Sequence, residues 1–132
     1  MEKEILAKKT YYWAINHGFK WSISEKKAVK CFDKLISRLD PDEQIDFPFI
    51  GAYGYCFIAT KKRLIQCKKR IIGYKYKELR WDQVKDIYYN IKKQVVILFR
   101  VDGKETKIYT SNTTFTYNVL KDLINSHNPK GR

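Results

Sequence analysis

Acidic side chains are scarce in this chain of 132 residues: 14 Asp and Glu stand against 27 Lys and Arg, for a net charge of +13. A field of that sign disfavours cationic partners and favours acidic ones, whether nucleic acid, anionic lipid or an acidic protein. Glycine is also rare, with six residues and none in the pattern of a phosphate-cradling loop. The two histidines, His17 and His127, have no partner motif. No G-x-S-x-G, H-E-x-x-H or Cys–His signature is present, so the sequence supplies no nucleophile, acid or metal constellation. The expectation is a protein that is not an enzyme, with no cofactor, no metal site and no small-molecule substrate. Cysteine is limited to Cys31, Cys56 and Cys67. That odd count, without a C-x-x-C pair, reads as reduced intracellular thiols. Long apolar runs are missing as well. Nothing approaches the ~18 residues of a membrane span, and Lys8 and Lys9 interrupt the apolar N-terminal stretch where a secretory signal would need continuity. A cytoplasmic location is expected, with peripheral association at the membrane left open.

The chain does have enough apolar matter to fold. Apolar residues make up 44% and aromatics 15%, which argues against disorder, and the length suits one domain. The positive charge is uneven. Residues 53–80 carry nine basic side chains against Glu78 alone, whereas residues 41–52 carry three acids and no base.

Periodicity divides the chain. Residues 1–22 hold Tyr11, Tyr12, Trp13, Phe19 and Trp21 but give no clean helical stripe, so their aromatics are expected to pack on the domain or on a second subunit. Residues 25–39 read as a helix: Ala28, Val29, Phe32, Leu35, Ile36 and Leu39 share one face, and Lys26, Lys27, Lys30, Lys34 and Arg38 the other. Ser22 or Ser24 can cap its start, and Asp40-Pro41 ends it. From residue 44 the period becomes two. Strands are expected near 44–50, where Pro48 suggests an edge or a bulge, at 55–60 and at 64–69. Alternation then runs from Ile71 to Trp81, with further strands at 84–91, 94–101 and 104–111. Lys92-Lys93 and Asp102-Gly103 mark turns, the latter as a two-residue hairpin with both central residues at positive φ. A helix at about 114–126, capped by Thr113 or Thr114, carries Phe115, Val119, Leu120, Leu123 and Ile124 on its apolar side.

This order, read with three stretches, resembles the bacterial pleckstrin-homology-like (bPH) domain family from about Val29 to Ser126. The stretches are Leu39-Asp40-Pro41-Asp42-Glu43-Gln44-Ile45, then Gly54 to Ile65 with its Thr60-Lys61-Lys62-Arg63 corner, and Trp81-Asp82-Gln83-Val84-Lys85-Asp86-Ile87. The resemblance implies an α+β, mainly β fold: a PH-like curled barrel of two near-orthogonal antiparallel sheets capped by a C-terminal helix, with an added N-terminal helix. The division that follows is 1–22 an aromatic-rich N-terminal segment, 23–40 a lead-in helix, 41–127 the PH-like domain and 128–132 a tail. The family implies a binding module without catalytic residues, often self-associating, so a homo-oligomer is expected. Relatives of this fold that bind phosphoinositides use a basic loop between the first two strands; here that loop is Gly51 to Gly54 and carries no basic residue.

The candidate ligand-binding residues are therefore Lys61, Lys62, Arg63, Lys68, Lys69, Arg70, Lys75, Lys77 and Arg80. Pairing of the strands that bear them would bring these cations together near hairpin tips. They would dock an acidic surface, either an anionic membrane or an acidic protein. Nucleic acid is the alternative partner, with Tyr74, Tyr76, Tyr88 and Tyr89 available to stack bases. Lysine-rich turns also serve plain solubility, and edge lysines block aggregation. Thr60 and Arg63 belong to the family pattern and can instead hold the fold, Arg63 by pairing with Asp82 or Asp86.

Overall fold

A computed structural model describes residues 2–19 and 23–127. Trp21, the Ser22 cap candidate and the tail from residue 128 lie outside the described residues. The first element, α1 (Glu2–Asn16), buries Ala7, Thr10, Tyr11 and Ala14. These positions are spaced three and four apart, so they do share one helical face. It escapes a hydrophobicity count because two of the four are alanines and one is a threonine, while Ile5, Leu6 and Tyr12 point outward. Small residues allow close approach, and α1 packs against α2 (Glu25–Ile36) and the first strand. Ser24 caps α2, its hydroxyl accepting from the Lys27 N–H at 3.2 Å. The apolar stripe of α2 buries Ala28, Cys31, Phe32 and Leu35 and lies over the second and third strands.

Seven strands follow: β1 (Phe47–Ile50), β2 (Cys56–Ala59), β3 (Arg63–Lys69), β4 (Tyr74–Arg80), β5 (Val84–Asn90), β6 (Val95–Arg100) and β7 (Glu105–Tyr109). They form two antiparallel meanders, β1-β2-β3-β4 and β5-β6-β7. No ladder joins the two sheets among the described residues. The turn Trp81–Gln83 leads from one to the other. Pro48 sits on β1, an edge strand paired only with β2, where a missing N–H costs no ladder bond. Every β1 residue is buried. Phe47, Phe49 and Phe57 stack at 4.8 and 4.5 Å between centroids, with Phe19 tilted against the first two.

The last helix, α3 (Thr113–His127), buries Leu120 and Ile124 and half-buries Phe115, Val119 and Leu123 against β5, β6 and the Trp81 turn. Thr113 is its first residue rather than its cap. The buried hydroxyl of Thr113 donates back to the Thr110 carbonyl at 2.9 Å.

Two turns differ from the expected ones. Only Gly103 has positive φ at the β6–β7 connection. The loop spans residues 101–104 and is closed by Arg100 N–H to the Lys104 carbonyl at 2.9 Å, so it is not a two-residue hairpin. Ile71 does not begin a strand; it lies in the turn before β4. The Arg70 N–H donates to the Gly73 carbonyl at 3.0 Å, which makes Ile71 and Ile72 the central residues of that turn.

Candidate binding surface

The three sequence stretches that carry the family likeness meet around one buried carboxylate. The Glu43 side chain, 1% exposed, accepts from the Asp40 N–H at 3.0 Å, the Thr60 hydroxyl at 2.7 Å, and Arg63 Nε and Nη2 at 2.9 and 2.8 Å. Arg63 Nη2 also donates to the Arg38 carbonyl at 2.9 Å, and Nη1 lies 3.4 Å from Glu78. Trp81 adds its indole N–H, 2.7 Å from the Thr60 carbonyl. The guanidinium of Arg63, above all, holds the Glu43 carboxyl down at about 2, with the Asp40 and Thr60 hydrogen bonds adding to it. Arg63 therefore pairs with Glu43 and Glu78, not with Asp82 or Asp86. It works as a clasp between the α2–β1 linker and the β2–β3 corner.

The other candidate cations separate into two ends of the first sheet. Register fixes this. Arg63 faces Arg80 across the β3–β4 ladder, and Lys68 faces Lys75. With a rise of about 3.3 Å per residue, the two ends of β3 are ~20 Å apart. At the corner end, Lys62 pairs with Asp42 at 3.0 Å and Asp40 at 3.5 Å. Arg80 pairs with Asp82 at 3.0 Å. Lys61 is exposed beside them, near Asp42, Glu43 and Asp46. Acids thus offset much of the charge here.

At the turn end the situation reverses. Lys68, Lys69, Arg70 and Lys75 surround the Ile71-Ile72 turn, and none of them forms an ion pair among the described residues. Aromatic rings hold two of them. Lys68 Nζ stands 5.2 Å from the centre of the Tyr55 ring, and Lys69 Nζ 5.2 Å from that of Tyr74. Lys34 of α2 stands over Tyr74 at 5.4 Å, and Arg38, just past the end of that helix, lies over Tyr76 at 3.5 Å. The sequence placed both on the polar face of a helix over 25–39, whereas α2 ends at Ile36. Their i, i+4 spacing was visible, but not which sheet ring they would meet. The same contacts occupy the Tyr74 and Tyr76 rings with cations. Lys77 is apart from both groups. It pairs with Gln66 and lines an open cleft of about 380 Å³ between the sheets, together with Leu64, Leu79, Arg100, Thr106 and Lys107.

The described residues hold no group of three or more His, Cys, Asp or Glu side chains that could bind a metal ion. None of their helices is long and apolar enough to cross a membrane. The three cysteines are free and buried. Cys56 and Cys67 face each other across β2 and β3, beneath Cys31 of α2, and the Cys56 thiol donates to the Ala28 carbonyl at 4.0 Å.

The family model described as bacterial PH domain covers residues 39–126, which includes all seven strands and nearly all of α3. No curated protein and no solved structure matches the chain.

Proposed function

The chain belongs to the bacterial PH domain family, and from that premise we propose that it is a non-catalytic binding module that docks an acidic surface through the turn end of the β3–β4 hairpin. The observation that carries this reading is the unequal fate of the cations. Lys62, Arg63 and Arg80 are spent on Asp42, Glu43 and Asp82, whereas Lys68, Lys69, Arg70 and Lys75 have no acidic partner among the described residues and converge on one tip. Four unpaired cations at a surface are worth about 1 kcal/mol each against an anionic membrane.

In this reading residues 41–127 form the binding unit, with the two sheets curled toward each other at near right angles as an open barrel. The Thr110 hydroxyl donating to the Ile50 carbonyl at 3.3 Å and Gly51 lying against Tyr109 support an approach of the two sheets at that corner. Residues 1–22 and 23–40 buttress the unit through α1 and α2. The outer face of α1, with Ile5, Leu6 and Tyr12 exposed, supports self-association. Light scattering that finds only monomer at high concentration removes that part. The setting is cytoplasmic, at the periphery of a membrane.

Retention on a sulfated anionic matrix tests the docking face. The quadruple variant Lys68→Gln, Lys69→Gln, Arg70→Gln, Lys75→Gln elutes at much lower salt than the parent, since each lost contact reduces the salt slope. The triple variant Lys61→Gln, Lys62→Gln, Arg80→Gln changes elution less. Equal effects from the two sets would show that total charge, not the tip, governs binding. A gel shift with single-stranded oligonucleotide that persists at moderate salt would instead favour nucleic acid.

A further inference from the structure

The tip that gathers the unpaired cations is not itself charged. Ile71 is 100% exposed and Ile72 89%. They are adjacent, central in a turn closed by the Arg70–Gly73 hydrogen bond, and flanked by Lys68, Lys69 and Arg70 on one side and Lys75 on the other. A solvated turn ordinarily takes Gly, Asn, Asp or Ser at such positions. Two β-branched apolar side chains held fully in water gain nothing for the fold.

The neighbouring turn shows the same character. β2 runs antiparallel to β3, with Cys56 opposite Cys67, so the β1–β2 turn lies at the same end of the sheet as the β3–β4 turn. Lys68 over the Tyr55 ring fixes that proximity. The β1–β2 turn presents Tyr53, 77% exposed and at φ 62°. An amphipathic aromatic ring of this kind settles at the boundary between headgroups and acyl chains.

We infer that Ile71 and Ile72 form a wedge that inserts into the acyl region of an anionic lipid bilayer, with Lys68, Lys69, Arg70 and Lys75 seated on the headgroups. The inference rests on the acidic-surface reading and names the partner. Charge complementarity selects an anionic surface. The protruding apolar tip then selects a fluid one: a protein partner would need a groove shaped to two isoleucines, and a nucleic acid offers no apolar phase to receive them. A bilayer receives them without shape matching, and apolar burial adds to electrostatic attraction.

The test uses vesicles of phosphatidylcholine with and without phosphatidylglycerol, and the full chain. The double variant Ile71→Ser, Ile72→Ser leaves the fold intact because neither side chain touches it. It should lose more than about tenfold in partitioning onto the anionic vesicles, the effect of two apolar side chains no longer leaving water, and keep the parent's elution from the sulfated matrix. An environment-sensitive fluorophore on Ile72→Cys, with the native thiols buried, should shift to the blue on those vesicles and not on binding oligonucleotide. Undiminished vesicle binding by the double variant overturns the wedge while the acidic-surface reading stands. So does a parent that elutes late from the matrix but ignores anionic vesicles. A parent retained by neither overturns that reading and the wedge together.

Discussion

Glu43 shows how one side chain turns scattered sequence landmarks into a joint. Its carboxylate takes four hydrogen bonds from Asp40, Thr60 and Arg63, and removing it leaves a half-buried guanidinium to Glu78 and the Arg38 carbonyl alone. Breaking a buried pair of this kind costs on the order of 3 kcal/mol, so Glu43→Gln should unfold at clearly lower urea concentration at neutral pH. The pH dependence has a definite direction. The folded-state value of about 2 lies below the ordinary 4.5, so the unfolded chain binds the proton more readily. The stabilisation is complete above about pH 4.5 and is lost as pH falls toward 2. Urea midpoints across that window should fall steeply for the parent and less for Glu43→Gln; parallel curves would deny the clasp its role. The sequence showed Arg63 as a residue in need of an acid, but Asp82 and Asp86 were equally eligible on charge alone. Only the path of the Pro41 turn delivers Glu43.

At the scale of elements, the strand and helix content follows from period and breakers, whereas the junctions follow from packing. The alternation through β2–β7 and the stripe of α2 were legible, because each pairs a long apolar repeat with a cap or a turn residue. α1 was not, because three of the four residues on its buried face, Ala7, Thr10 and Ala14, are too small to register as a stripe beside Tyr11, yet well suited to close approach. The β1–β2 junction gives a direct test. A Cβ on Gly51 would stand 2.7 Å from Phe57 Cε1 and 2.9 Å from the Tyr109 carbonyl oxygen. The ring belongs to the stacked Phe49–Phe57 pair and the oxygen is backbone, so neither yields cheaply. Gly51→Ala should destabilise by about 1–3 kcal/mol, read as a lowered thermal midpoint. Gly73→Ala supplies the contrast: its Cβ would meet nothing within 4 Å, and only its φ of +74° opposes the change. An unchanged midpoint for Gly51→Ala would mean that β1 and β7 do not approach as described.

For the whole molecule, two helices, two sheets and the N-terminal segment share one core. Ala7, Phe19, Phe32, Phe47, Leu98 and Leu120 all belong to the same buried cluster. The thiols report on its integrity. Cys31, Cys56 and Cys67 are all fully buried, so the native protein should be inert to an aromatic disulfide reagent and release three equivalents only on unfolding. Rapid reaction of any one in native buffer would mean that α2 lifts from β2 and β3. The charge distribution belongs to this scale too. A net charge of +13 is a property of composition, but its division into a neutralised corner and an unpaired tip depends on which acids the fold carries to which end.

The sequence by itself determined the material of the protein: a basic chain without catalytic motifs, an order of helix, antiparallel strands and helix, and the three stretches that mark its family. These are local or compositional properties, set by side-chain period, turn residues and the missing motifs. Tertiary structure alone decided which cations are spent and which are free, because an ion pair depends on which chain segments the fold brings within a few ångströms. It also decided that Ile71 and Ile72 stand in water. In the sequence they extend an apolar alternation, and only the closing of the hairpin at Arg70 and Gly73 turns them outward.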